Sequence, residues 1–148
     1  MGSYWTNAVR HPEDIGVGHI RRTVDYSEFS AVAQADGTPA LALPIGCLEA
    51  GAVPLRVHTY VATAVAGGTP AMTLGTATGA TAFALAADLA ASATGVKTAA
   101  TGTSMGIPLA ADTVFYAYIS ASASAGKVTL TVEFVNKRES IVRPFPNN

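Results

Sequence analysis

Three histidines, one cysteine and ten carboxylates are the residues of this 148-residue chain best equipped to catalyse or to hold a metal. His11 and His19 flank Glu13 and Asp14, a mixed nitrogen and oxygen set of the kind that takes a divalent cation. Their spacing matches no established ligand pattern, and an extended polar segment is a poor cage. His58 falls on the polar side of an alternating stretch, next to Val57, where a surface or interface role is the default. Cys47 has no second cysteine for an internal disulfide and no ligand partners at zinc-site spacing. Between Gly46 and Leu48 it is expected to be a small buried thiol rather than a nucleophile. No serine occupies a Gly-x-Ser-x-Gly elbow, since Thr103-Ser104-Met105-Gly106 lacks the first glycine. The glycine-rich stretches Gly67-Gly68 and Gly75-Thr76-Ala77-Thr78-Gly79 lack the Gly-Lys-Ser/Thr of a phosphate loop. Only Asp88 and Asp112 are acids in the middle of the chain, which leaves a glycosidase-type carboxylate pair without support. The residues therefore point to a non-enzymatic protein, with no catalytic residue, cofactor or metal assigned.

What must be positioned is therefore contact surface, and charge is the guide to it. Charged residues make up 13% of the chain, with a formal net charge of −1, about half the usual charged share of a soluble domain. That balance gives no long-range attraction to nucleic acid or anionic lipid. Arg21-Arg22 and Lys137-Arg138 are the basic doublets, and each has acids nearby. Charge gathers in the first thirty residues and the last sixteen, while Arg56 to Asp88 encloses none. That uncharged run is broken by Gly67-Gly68-Thr69-Pro70 and rich in Thr and Gly, which argues against a spanning helix. The opening Met1-Gly2-Ser3-Tyr4-Trp5 has no apolar signal core. Faces of Ala, Thr, Ser and Gly in place of charge are expected to meet other protein.

The elements that carry those faces are strands. Lys127 to Phe134 alternates strictly, which puts Val128, Leu130, Val132 and Phe134 on an inward face. Thr113 to Ser120 is rich in aromatic and β-branched residues, and the Ser124-Ala125-Gly126 turn predicts a hairpin between the two. Val53 to Val65 places Val53, Leu55, Val57, Thr59, Val61 and Thr63 on one face, with Ala71 to Thr76 expected to pair back across the Gly-Gly turn. Thr81 to Leu85 alternates again, and Ala86 to Ala93 is alanine-rich enough for a helical turn. Further strands are expected at Arg21 to Phe29, Ala40 to Ile45 and Lys97 to Thr101. Roughly eight antiparallel strands with regularly spaced turns predict an all-β jelly roll or β-sandwich. Residues 1–18 are expected to form an extended N-terminal arm, 19–142 the sandwich, and 143–148 a proline-bounded tail.

The run Gly46-Cys47-Leu48-Glu49-Ala50-Gly51-Ala52-Val53-Pro54-Leu55-Arg56-Val57 feeds a glycine turn into a strand. Ala62-Thr63-Ala64-Val65, Met72-Thr73-Leu74-Gly75-Thr76 and Ala125-Gly126-Lys127-Val128-Thr129-Leu130-Thr131-Val132 follow in order. This texture, over about residues 45 to 135, resembles the jelly-roll decoration, or cement, proteins of tailed-bacteriophage capsids. The resemblance implies a virion structural protein on the capsid surface that binds the major capsid protein, forms a homo-oligomer (dimer or trimer) and stabilises the head. A receptor- or glycan-binding fibre or spike domain is the alternative. Neither reading calls for nucleic acid or membrane. Partner contacts are expected from Tyr4, Trp5 and Arg10 on the arm, Arg21 and Arg22 at the start of the domain, and Phe145 on the tail. Large aromatics are typical interface anchors, and arginines clamp carboxylates.

Overall fold

In the computed structural model the described residues are 17–33, 39–67, 69–99 and 102–136. The arm residues Tyr4, Trp5, Arg10 and His11 and the tail residue Phe145 lie outside them. The strands are β1 (Val17–Asp25), β2 (Ser30–Ala33), β3 (Pro39–Leu48), β4 (Val53–Ala66), β5 (Met72–Gly75), β6 (Gly95–Ala99), β7 (Thr113–Ile119) and β8 (Ala125–Val135). One helical turn, α1 (Ala86–Leu89), follows β5. Among the described residues no helix is long and apolar enough to cross a membrane.

Two antiparallel sheets form, in the orders β1-β8-β4-β6 and β2-β3-β7-β5. Setting the edge strand β2 aside, the chain alternates between them: β1 and β4 in the first sheet, β3 and β5 in the second, then β6, β7 and β8 in first, second and first. β8 lies between β1 and β4. This is the order of a jelly roll, two interlocked Greek keys. The strand that would extend the second sheet beyond β5 is reduced to the single bridge Leu74–Ala84.

The core lies between the sheets, where each strand's alternate residues meet. Val128, Leu130 and Val132 of β8 are fully buried, as the alternation predicts, and Phe134 packs against the same cluster. Facing them across the sandwich are Leu43 and Ile45 of β3 and Phe115, Ala117 and Ile119 of β7. On β4 the expected stripe holds at Val57, Thr59 and Val61, all buried. It fails at both ends, where Pro54 rather than Val53 or Leu55 is buried and Thr63 is exposed. Register shifts between Pro54 and Arg56 and between Val61 and Thr63 are β-bulges, and each moves the chain off strict alternation.

Both expected hairpins are corrected. β7 does not pair with β8; it sits between β3 and β5, while β8 sits between β1 and β4. β5 likewise pairs with β7 and not with β4. In each case a turn that looks like a hairpin link carries the chain across to the opposite sheet. Alternation tells which side of a strand faces the core, and that side is satisfied equally well by either route. Thr81 to Leu85 is not a strand either: only Ala84 bridges, and Phe83 turns inward from a loop. The helical turn ends at Leu89 rather than Ala93, because Ala90 takes a left-handed φ of 43°.

The edge strand β1 starts at Val17, inside the stretch expected to be arm. It ends in a 3₁₀ turn over Tyr26–Glu28 with a capping box, in which Ser27 N donates to Asp25 Oδ1 (3.1 Å) and Asp25 N donates to Glu28 Oε1 (3.0 Å).

Candidate functional site

Every ionisable Asp, Glu, Lys, Arg or His within the strands belongs to the β1-β8-β4-β6 sheet; β2, β3, β5 and β7 contain none. The uneven charge seen along the sequence is therefore a difference between the two sides of the sandwich. The topology produces it among the described residues, because the charged strands β1 and β8 and the isolated Arg56 of β4 are laid side by side in one sheet.

Its outward face is built in cross-strand rows fixed by the register. Val17, Val135 and Val53 form the first row, and His19, Glu133 and Arg56 the second. Arg21, Thr131, His58 and Thr98 form the third, and Thr23, Thr129, Tyr60 and Val96 the fourth. Asp25 opposite Lys127 closes the β1 end. Val17, Tyr60 and Val96 are well exposed, Val96 at 69%. Thr23 Oγ1 and Thr129 Oγ1 share a hydrogen bond of 2.8 Å.

Glu133 is the hub of this face. His58 Nε2 lies 2.9 Å from its Oε2, Arg56 Nε 3.4 Å from its Oε1, and His19 stands beside it in the register. The His58 hydrogen bond, with the charges of Arg56, His58 and His19, holds the Glu133 carboxyl below its ordinary range against a smaller opposing effect of burial. The second imidazole nitrogen, Nδ1, is 3.0 Å from Thr98 Oγ1. His58 thus spans three strands of the sheet. Sequence inspection placed it on the polar face but not with these partners, since Glu133 lies far along the chain.

The Asp25 carboxyl is also held low, by hydrogen bonds from the Ser27 backbone and hydroxyl. A carboxyl lowered in the folded state contributes stability above the unfolded-state pKa, and loses it as pH falls through the folded value. Urea midpoints followed from neutral pH down through the acid range are therefore expected to fall. The fall should be shallower for Glu133→Gln and Asp25→Asn than for the unaltered chain. An unchanged slope in both variants would show that neither contact matters to folding.

Of the three arginines expected to contact partners, Arg10 lies outside the described residues and the other two behave differently. Arg21 is exposed on the outward face, and no hydrogen bond or ion pair engages it among the described residues. Arg22 is turned to the other side. Its Nη1 donates to the Pro44 carbonyl of β3, and its Nη2 bridges to Glu28 Oε2 at 3.1 Å. It ties the edge strand β1 of one sheet to β3 of the other and to the 3₁₀ turn, and is already spent inside the domain. Cys47 corrects another expectation: it is exposed rather than buried. The bulge at Pro44/Gly46 shifts the register there, placing Gly46, not Cys47, toward Ile20, where an added Cβ would lie 2.5 Å from Ile20 Cγ2.

The outward side of the other sheet has no charged residue on its strands and is partly roofed. Ala42 and Tyr118 are buried beneath the connection after β5, with Ala80 and Tyr116 against them. The Tyr118 hydroxyl donates to Thr76 O at 2.6 Å, and burial pushes its phenol pKa up. Beside this roof is a shallow open groove lined by Thr76, Thr78, Asp112 and Tyr116. Among the described residues no group of three or more His, Cys, Asp or Glu side chains is placed to hold a metal.

No protein-family profile matches the chain, and no curated protein does. Two solved structures share its fold. A chain of the cyanophage Pam1 capsid asymmetric unit superposes with a TM-score of 0.57 at 20% identity, over 81% of this chain and 84% of that one. A chain of the capsid of Ralstonia phage GP4 superposes with a TM-score of 0.56 at 18% identity, over 82% and 86%. At such identities the likeness is one of fold.

Proposed function

We propose that this chain is a non-enzymatic structural protein of a tailed-phage particle, located on the capsid surface, where it decorates and stabilises the head. The observation that carries this reading is the match of nearly the whole domain, in both directions, to chains taken from two phage capsids. Fold alone does not assign function. The charge-poor composition and the division into one charged and one uncharged sheet add support, because both suit a subunit whose surfaces are covered by other protein. In this reading the major capsid protein is the partner, and copies of the chain join as a dimer or trimer through uncharged surface. Binding only to the assembled shell shifts the equilibrium toward it, and linking several contacts adds avidity. Tyr4, Trp5, Arg10 and Phe145 supply further anchors in this scheme, together with Arg21; Arg22 is withdrawn from it by its internal contacts.

The test uses purified heads that lack this protein. Added chain is expected to co-sediment with them and to raise the temperature at which they release DNA. A variant lacking residues 1–16, which ends just before β1, is expected to stay folded and bind more weakly. Heads that neither bind the chain nor gain heat resistance would overturn the proposal. The groove of Thr76, Thr78, Asp112 and Tyr116 favours the second reading, a glycan-binding module. Saturable binding to a defined oligosaccharide, lost in Asp112→Ala, would support that reading instead.

A further inference from the structure

We propose that the outward face of the β1-β8-β4-β6 sheet docks an acidic protein segment, with Arg21 as its anchor and the imidazoles of His19 and His58 as a reinforcement that grows as pH falls. This deepens the reading above by naming a face and the chemistry of what covers it.

The argument is one of charge complementarity. The two central rows hold Arg21, Arg56, His19 and His58 against one carboxylate, Glu133. That carboxylate is already committed to His58 and Arg56. Asp25 and Lys127 offset each other at the far end. The face therefore keeps a net positive charge in a protein whose formal charge is −1 overall. Of the two arginines in these rows, Arg56 is engaged by Glu133 and Arg21 has no hydrogen bond or ion pair among the described residues. A planar guanidinium so placed takes a carboxylate in a bidentate pair, which fixes orientation as well as adding energy.

The flanking rows show what kind of polymer would fit. Val17, Val135 and Val53 border the charged rows on one side, and Tyr60 with Val96 on the other. Successive outward rows are about 7 Å apart along the strands. A protein segment can offer carboxylates to the centre and apolar side chains to both borders. Nucleic acid binding draws on several cations tracking the phosphates, whereas among the described residues of this face one arginine is free and the bordering valines would be left uncovered.

The pH response follows from the groups around His58. Facing it are Glu133 on β8, His19 and Arg21 on β1, and Arg56 and Tyr60 on its own strand; β6 presents the uncharged Thr98. An imidazolium donates from both nitrogens, and Glu133 Oε2 and Thr98 Oγ1 are both acceptors already in place. Protonation thus adds charge to the face without rearranging it.

The probe is a fluorescein-labelled aspartate decamer, titrated by anisotropy at low ionic strength at about pH 7.5 and about pH 5.5. A labelled DNA duplex of equal charge is run beside it. The unaltered chain is expected to bind the peptide better than the duplex, and more tightly at the lower pH. Arg21→Glu is expected to weaken peptide binding about tenfold or more while keeping the β-sheet circular dichroism of the parent. His58→Gln, whose amide can keep both hydrogen bonds, is expected to reduce the gain at low pH. Absence of peptide binding, or equal binding by Arg21→Glu, would overturn the proposal. Tighter binding to DNA would replace the protein partner with nucleic acid. A gain at low pH that His58→Gln leaves intact would remove His58 from the mechanism. No capsid enters this experiment, so peptide binding without head binding would leave the face standing and remove the capsid reading.

Discussion

Phe115→Ala is expected to lower the unfolding free energy by about 3–5 kcal/mol, the range for deleting a fully buried phenylalanine ring. Phe115 lies on β7 and stacks on Phe83 with ring centroids 4.2 Å apart and an interplanar angle of 27°. Neither ring is more than 1% exposed. Phe83 comes from the loop that follows β5, held there by its backbone NH donating to Leu74 O at 3.0 Å. The pair is thus the contact through which an irregular segment enters the core. Against a typical total stability of about 5–15 kcal/mol, the loss corresponds to a melting temperature lower by about 10 °C or more. Urea titration of the variant measures it directly. A loss under about 1 kcal/mol would mean that the loop collapses into the vacated space, since the cost of such a deletion tracks the cavity that remains.

Gly75→Ala is expected to cost about 3 kcal/mol, at the upper end for inserting a methyl group into filled space. A Cβ at Gly75 would overlap the carbonyl oxygen of Gly79 and lie 2.5 Å from the carbonyl carbon of Ala80. These are backbone atoms, which cannot swing aside as a side chain would. The turn they belong to is closed by Thr76 N donating to Gly79 O at 2.9 Å, and Thr76 O receives the Tyr118 hydroxyl. Displacing the turn therefore opens the roof over Ala42 and Tyr118. Tyrosine absorbance and the urea midpoint should change together. Gly79→Ala is the control, because its Cβ would meet only Thr76 Oγ1 at 3.5 Å and Ala82 Cβ at 3.8 Å, and it should stay within about 0.5 kcal/mol of the parent. Equal midpoints for the two variants would show that the turn yields at both positions.

Gly75 also shows the limit of what the sequence discloses. It stands in a Gly/Thr run that marks a turn, but its closeness to the Gly79–Ala80 backbone depends on how the loop folds over the sheet. β8 is the opposite case: its strict alternation specified the buried residues Val128, Leu130 and Val132 without any tertiary information. Alternation does not name a strand's neighbours, so the hairpins expected of β4 with β5 and of β7 with β8 were plausible locally and wrong globally. The candidate face was legible only in parts. His58 was placed correctly on a polar side, yet Glu133 and Thr98 reach it through pairings distant in sequence. Arg21 and Arg22 look alike in the sequence, but strand geometry sends one outward and the other to Pro44 and Glu28. Cys47 misleads for a related reason, since the bulge beside it changes which residues of β3 face the core.

The position of β8 has a kinetic consequence. This strand, the last of the described ones, pairs on one side with β1 and on the other with β4, so the charged sheet has no middle until residues 125–135 have been made. β1 waits for a partner more than a hundred residues downstream, as the register of Val24 with Val128 records. Closing so long a loop costs entropy before any contact offsets it, and folds dominated by such distant pairings form slowly. The nascent chain meanwhile holds unpaired strand edges, the state most open to association with its neighbours. The sparse charge, 13% of the residues, gives that waiting chain little repulsion to keep it apart.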